Sequence, residues 1–340
     1  MASNAPIFII GTERSGSNLL RVILTSHSRI DVPHPPHVMK YLGPLEARYG
    51  DLSQPHRLQA LTRDVLKLLA VHIHPWESEL DAERIAAASD PPDLLGIFFA
   101  LQERHMEWAG KARWGNKSTF MLTSVDRVLA HRPGARFIWL VRDPRDVAAS
   151  SRKSVFSPFH PFLTAQLWAK QQAECLELAE RLGSDVVLRV HYEDLVAEPE
   201  ATVARVCEFL DEAFEPAMLQ YHESSQTRRG ASLSESWQNT AAPVLRGNAG
   251  KWRKALSAEE AAAVEGVCGE LMHTLGYATS TTEDWREPSP TRRLRWQLSN
   301  ERDRLRIEWR SLRKDTNHWR RWGRAVLLGG LHLRHRGRPS

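Results

Sequence analysis

The chain has 340 residues, 46 Lys plus Arg against 41 Asp plus Glu, and a hydrophobic content of 42%. Those values describe one large α/β domain with an appendage, and they exclude a disordered, fibrous or disulfide-framework protein. No apolar run reaches membrane-spanning length and no charged-then-apolar leader is present, so a cytoplasmic protein is expected. Cys175, Cys207 and Cys268 are far apart, lack metal-ligand spacing and fall in amphipathic helical patterns, which predicts buried, reduced thiols.

The apolar run Ile7-Phe8-Ile9-Ile10 predicts a buried parallel strand, and the apolar spacing after Asn18 predicts a helix. Between them Gly11-Thr12-Glu13-Arg14-Ser15-Gly16-Ser17-Asn18 has the build of a phosphate cradle. Its glycines let backbone N–H groups turn inward, and the positive end of the next helix faces the same point. A Walker A loop places Lys and then Ser or Thr after its last glycine, whereas Ser17 and Asn18 follow Gly16 here. The strong cation is Arg14, whose planar fork suits a phosphate or sulfate. The loop therefore argues against ATP hydrolysis.

The segment from Leu42 to Gly110 is helical in pattern, with Leu58, Leu61, Val65, Leu68 and Leu69 on one face, and is expected to form a helical cap. Next, Trp114-Gly115-Asn116-Lys117-Ser118 precedes a second apolar strand, Arg136 to Val141. That strand ends in Arg142, and Asp143-Pro144 opens a helix carrying Ser150 about two turns along. Ligands of open parallel sheets bind at this edge. Phe156-Ser157-Pro158-Phe159-His160-Pro161-Phe162, followed by a helix with Trp168, offers aromatic rings to an acceptor pocket and His160 as an acid/base group. A third strand, Val186 to Val190, leads into His191-Tyr192-Glu193-Asp194-Leu195 and an amphipathic helix from Pro199 to Leu210. Arg246-Gly247-Asn248-Ala249-Gly250-Lys251-Trp252-Arg253 comes before a capping-box signature at Ser257 to Glu260.

Residues 285–340 hold 16 Lys plus Arg against 5 Asp plus Glu, a net of +11, so with +5 overall the first 284 residues carry −6. Five tryptophans, Trp285, Trp296, Trp309, Trp319 and Trp322, interleave with the arginines, and Leu294, Leu298, Leu305 and Leu312 predict amphipathic helices. Such a tail suits an anionic membrane surface or a second subunit; specific nucleic-acid reading is not expected. The expected division is 1–284 as the catalytic domain, with its cap at about 42–110, and 285–340 as a basic helical tail.

Taken in order over residues 6 to 280, these motifs resemble the sulfotransferases that use 3′-phosphoadenosine 5′-phosphosulfate (PAPS), in particular the tyrosylprotein and carbohydrate branch. The resemblance implies a P-loop-like three-layer α/β fold with about five parallel strands and helices on both faces. It implies that Arg14, Ser15, Gly16, Ser17 and Asn18 bind the 5′-phosphosulfate, that Arg142 and Ser150 bind the 3′-phosphate, and that Tyr192 lies near the nucleotide. It also implies that Lys117 stabilises the leaving group and that Gly250, Lys251 and Trp252 close over the nucleotide as a lid. No divalent metal is expected. Related enzymes carry a Glu as base beyond the loop helix; here no Glu lies between Glu13 and Glu46, so His34 or His37 is the expected base, with Asp31 in reserve. Glu13 is expected to turn its carboxylate away from the donor. The acceptor is a hydroxyl on a carbohydrate, a lipid-linked glycan, a peptide tyrosine or a small natural product. Competing readings are a P-loop kinase and a non-catalytic anion-binding module docked to membrane by its tail, with the enzyme expected at most to sit peripherally on the inner membrane.

Overall fold

Strict alternation in the strands decides the architecture. In β1 (Ile7–Gly11) the side chains of Ile7 and Ile9 enter one core and those of Phe8 and Ile10 another, as the period of two requires of a strand covered on both faces. The structure, a computed structural model, describes residues 4–152, 154, 158–233, 235–280, 285–314 and 317–335.

From β1 the chain runs through α1 (Ser17–Thr25) to a two-residue β2 (Ile30–Asp31), then α2 (Val38–Leu42), α3 (Pro55–Ala70), α4 (Ala82–Ala88) and α5 (Leu94–Trp108). It returns as β3 (Arg113–Lys117), followed by α6 (Val125–His131), β4 (Arg136–Val141), α7 (Pro144–Ser151), α8 (Pro161–Leu182) and β5 (Val187–His191). After β5 come α9 (Tyr192–Ala197), α10 (Pro199–Phe209), α11 (Ser225–Ser232), α12 (Trp252–Ala255), α13 (Ala258–Thr274), α14 (Pro290–Lys314) and α15 (His318–Arg334).

The five strands are parallel in the order β2-β3-β1-β4-β5. The order reverses between β1 and β4, so the loops leaving their carboxyl ends diverge and open a crevice. Phe8, Ile10, Phe137 and Trp139 pack beneath α5, α6, α8 and α13 on one face. Ile7, Ile9, Ile138 and Leu140 pack beneath α1 and α10 on the other. A third cluster, Leu42, Leu58, Leu61, Val65, Leu68, Leu69, Ile97 and Leu101, is the core of the cap and takes Leu331 from α15. Helix α5 serves both, since Leu95, Phe98 and Phe99 point to the sheet.

Two strands have no clear apolar signature. β3 reads Arg-Trp-Gly-Asn-Lys, and its glycine is set by space: a Cβ on Gly115 would lie 3.0 Å from Val32 and 3.2 Å from the Ile7 carbonyl. The cysteines are free and buried, and burial pushes the thiols of all three upward. Tail helices α14 and α15 are laid on the body. Asn300 Oδ1 accepts from the backbone of Phe159 and His160 at 2.8 and 3.1 Å, Arg334 reaches Asp64 at 3.0 Å, and His335 packs on Tyr49.

Candidate active site

Each candidate side chain sits just past the carboxyl end of a strand or at its last residue: Arg14 after β1, His34 and His37 after β2, Lys117 closing β3, Arg142 after β4 and Tyr192 after β5. Parallel strands put all of these ends on one rim. They line a single cleft of about 610 Å³ together with Gly16, Ser17, Asn18, Ser150 and Lys251.

The loop that begins this cleft is held by two positions where only glycine fits. Gly11 has φ 126°, and a Cβ there would stand 2.3 Å from the Leu140 carbonyl oxygen. Gly16 has φ 91° and would strike the Tyr192 ring at 2.2 Å. Gly16 is also the N-cap of α1, whose first turn holds no acidic residue, so the positive end of the helix dipole is uncompensated. Two other contacts fix the loop. Gln172 donates to Thr12 Oγ1 at 3.0 Å, and Asn18 Oδ1 accepts from Arg21 Nε at 2.8 Å.

Arg14 adopts φ 71°, unusual for a residue with a side chain, and its Nε donates to Ser150 Oγ at 3.1 Å. Arg142 Nη1 donates to the carbonyl of Arg14 at 3.0 Å, and its guanidinium lies 4.2 Å over the Tyr192 ring. The two arginines predicted to hold opposite ends of one donor therefore share a wall. Burial, then the neighbouring Arg142, lowers the Arg14 guanidinium below its usual range. Two cations pressed together, with Arg142 Nε buried and unpartnered, is an arrangement that a polyanion relieves.

Lys117 is pushed down to about 8 by burial, with Arg21 and Arg14 adding to the fall and Glu13 opposing it. Glu13 does not turn away as expected: it lines the cleft and acts as counter-charge to Lys117, Arg14 and Lys40. His37 sits at φ 52°, its Nδ1 3.1 Å from Ser118 Oγ. His34 stacks on His74 at 4.9 Å and lies 4.1 Å from Trp237, with its Nε2 buried and unpartnered. Burial holds both imidazoles well below the usual value, and nearby cations add to it: Arg21 chiefly for His34, Lys117 chiefly for His37.

Several expected residues lie elsewhere. Ser15 is buried beneath the loop, and Gly250 and Trp252 are not among the cleft-lining residues. The backbone N–H groups of Gly250 and Trp252 donate to the Asp146 carboxylate at 2.6 and 2.8 Å, and the Trp252 indole lies between Arg145 and Arg253. Trp252 thus anchors the 246–253 loop to α7, leaving Lys251 over the cleft. Asp31 is spent in a buried pair with His105 Nδ1 at 2.7 Å, so it is unavailable as a base. His160 caps α8 and stacks on Trp296, and Phe159 and Phe162 are buried away from the cleft; Phe156 and Ser157 lie outside the described residues.

The cleft also contains Asn248 and residues that no local motif announces: Lys40, Tyr41, His72, Trp237 to Thr240, Leu245 and Arg324. Asn248 was legible, since it falls in the Arg246 to Arg253 motif; its carbonyl accepts from Arg142 at 3.2 Å and its amide donates to Tyr192 Oη. Arg324 comes from the tail and lies 4.9 Å over the Tyr41 ring.

Fold and cleft together define an α/β protein of the P-loop-like class with a cation-lined cleft at the topological switch point. The chain belongs to the sulfotransferase family, whose model matches residues 6–216. It is 26% identical over 239 residues to the protein-tyrosine sulfotransferase of Drosophila melanogaster, covering 67% of this chain and 42% of that protein. With protein-tyrosine sulfotransferase A of Caenorhabditis elegans it shares 26% over 282 residues, 80% of this chain and 67% of that one. The chain thus spans less than half the length of the fly protein. In fold it is similar to the sulfotransferase domain from the Synechococcus PCC 7002 olefin synthase (TM-score 0.56, 24% identity, 82% of this chain and 97% of that one). The sulfotransferase domain from the curacin biosynthetic pathway gives a TM-score of 0.55 at 23% identity, over 82% and 99% of the two chains.

Proposed function

We propose that this protein moves a sulfuryl group from PAPS to a hydroxyl acceptor. The observation that carries the reading is the apposition of Arg14 and Arg142 on one wall, bonded through a backbone carbonyl and leaving Arg142 Nε buried and unsatisfied. Family membership supports it. A donor of this kind supplies an activated sulfuryl group on a phosphate leaving group, and the residues of the chain do the rest.

Arg14 and the amino-terminal end of α1 hold the transferring end, and Arg142 with Ser150 holds the 3′-phosphate. Lys117 meets the negative charge that develops on the bridging oxygen as it departs, an interaction stronger in the transition state than before it. Of the two candidate histidines, His37 is favoured as the base, because Ser118 orients one ring nitrogen and Lys117 is the charge that acts most strongly on it. Burial is the main cause of His37's lowered basicity, and the cations Lys117, Lys40 and Arg324 add to it, so an anionic donor beside them offsets their part when base action is needed. The relatives named as protein-tyrosine sulfotransferases and the aromatic wall of Tyr41 and Trp237 support a phenolic hydroxyl as acceptor.

Calorimetric titration with the desulfated nucleotide, in the presence of EDTA, tests the donor assignment. Binding is expected without metal; unmeasurable binding ends the proposal. Mass gain of one sulfuryl group on tyrosine-containing peptides, after incubation with PAPS, tests the acceptor class.

A further inference from the structure

Helix α15 is apolar on the side that touches the body and apolar again on the side that does not, and α14 carries a second outward apolar stripe. In α15, Leu327, Leu328 and Leu331 pack into the cap core, while Arg320 donates to the His72 carbonyl at 3.0 Å and Arg324 reaches the cleft. On the opposite side Trp319, Trp322, Val326 and Leu333 are 54 to 68% exposed. At 3.6 residues per turn these four share an arc of about 60°, centred roughly opposite Arg324. In α14 the inner side carries Trp296, stacked on His160, and the buried Asn300 and Ser311. Its outer side carries Leu294, Leu298, Leu305, Trp309 and Leu312, which are 50 to 62% exposed and again share an arc of about 60°.

A helix already held to the body by one side has no use of its own for an exposed apolar stripe on the other, so two outward stripes in one tail call for a cover. Charge selects it. The tail carries +11, residues 318–334 hold no acidic side chain, and on α14 the exposed Arg295, Arg302 and Arg306 flank the stripe on one edge. On the other edge Glu301 and Glu308 are both engaged by Arg304, at 2.8 and 3.4 Å. A second copy seated tail to tail would oppose +11 to +11. A nucleic acid would match the arginines but leave tryptophans and leucines in water. An anionic lipid surface accepts both, taking the rings at its interface and the guanidinium groups at its phosphates. None of the described helices is long and apolar enough to cross a membrane, which leaves in-plane docking.

We propose that the outer faces of α14 and α15 are a docking surface for an anionic bilayer. Because α15 also lends Arg324 to the cleft wall, docking holds the cleft within about one helix diameter, roughly 10 Å, of the lipid surface.

The test is co-sedimentation of the full chain with vesicles of phosphatidylcholine alone and of phosphatidylcholine mixed with phosphatidylglycerol. Binding is expected to the mixed vesicles, to weaken with added salt, and to fall at least about tenfold in the Trp319→Ser, Trp322→Ser double variant. Leu298→Ser with Leu305→Ser probes α14 separately and is expected to weaken binding as well. All four side chains are exposed, so both variants should melt with the parent. The proposal is overturned by no binding to the mixed vesicles, by unchanged binding of the double tryptophan variant, or by a dimer in sedimentation velocity that the tryptophan substitutions abolish.

Discussion

The two ends of the cleft that we assign to donor and to acceptor are built on different principles. The donor end comes from three short chain segments, 11–18, 142–150 and 246–252, each joined directly to a strand or helix and clasped to the others by hydrogen bonds. Arg14 binds Ser150, Arg142 binds Arg14 and Asn248, and Asp146 binds the 250–252 backbone. The acceptor end is a convergence of side chains from α2, the turn after α3, the 3-10 segment Glu235–Ala241 and α15, residues separated by up to almost three hundred positions. Rigid local parts suit a donor that is always the same molecule. Long-range walls can change partner by partner while the donor grip stays fixed, which is what an acceptor site needs.

The largest effect that separates the two ends is expected at their junction, Lys117. Lys117→Ala should lower kcat by about a hundredfold or more, the usual loss for a preorganised charge donor at a transition state. Its affinity for the desulfated nucleotide should stay within about threefold, since the grips at Arg14 and Arg142 remain. Single-turnover assays and calorimetry check both halves; equal losses in both would make Lys117 a binding residue. Arg142→Ala should act in the opposite sense. Losing charge-assisted hydrogen bonds to a phosphate costs about 1.5–3 kcal/mol, or roughly ten- to a hundredfold in nucleotide affinity. At saturating donor its kcat should move much less.

This contrast also explains how much was legible in the chain before folding. Strand β1, the loop from Gly11 to Asn18, the Asp143-Pro144 helix start and the Ser257 capping box are written locally, because a glycine at positive φ or a proline at N1 is a backbone requirement. β2 and β3 were not legible. β3 has one β-branched or bulky apolar residue, Trp114, and its place between β1 and β2 is decided by a glycine that lets Val32 and Ile7 approach. Lys117, His34, His37 and Arg142 carry chemistry near motifs and were read; Lys40, Tyr41 and Trp237 share a wall only because helices pack, and spacing cannot report that. Glu13 is instructive in another way. Repulsion from an anionic donor was the sound expectation, but a cleft holding Arg14, Lys117 and Lys40 needs a counter-charge, and Glu13 supplies it.

The same counter-charge logic fixes a pH signature. In the free protein His37 lies well below the ordinary imidazole value, so it is neutral and base-competent through the neutral range, and the acidic limb of kcat/KM for the donor falls well below pH 6.5. A bound polyanion offsets the surrounding cations and raises the His37 pKa, so protonation removes the base at higher pH. The acidic limb of kcat should therefore sit above that of kcat/KM. On the alkaline side, Lys117 loses its charge as pH rises through about 8, so kcat/KM for the donor should decline there. Profiles of both parameters check this, and His37→Gln should erase the acidic limb while leaving the alkaline one. Coincident acidic limbs in the parent would remove His37 from the proton's path.

The smallest effect concerns Arg324, where the two ends of the comparison and the tail meet. Its guanidinium lies over the Tyr41 ring at 4.9 Å on the acceptor wall, and it contributes to lowering the His37, His72 and Lys40 pKa values. It makes none of the clasps that hold the donor loops. Arg324→Ala should therefore leave nucleotide affinity unchanged and raise the acceptor KM by only about two- to fivefold, the scale of one partly exposed cation–π or charged contact. Removing a cation also relieves His37, so the acidic limb of kcat/KM should move upward. A structural role for Arg324 would lower thermal stability and move neither the KM nor the limb. The paired shift, weaker acceptor binding with a more basic His37, is the result that assigns this tail residue to the acceptor end.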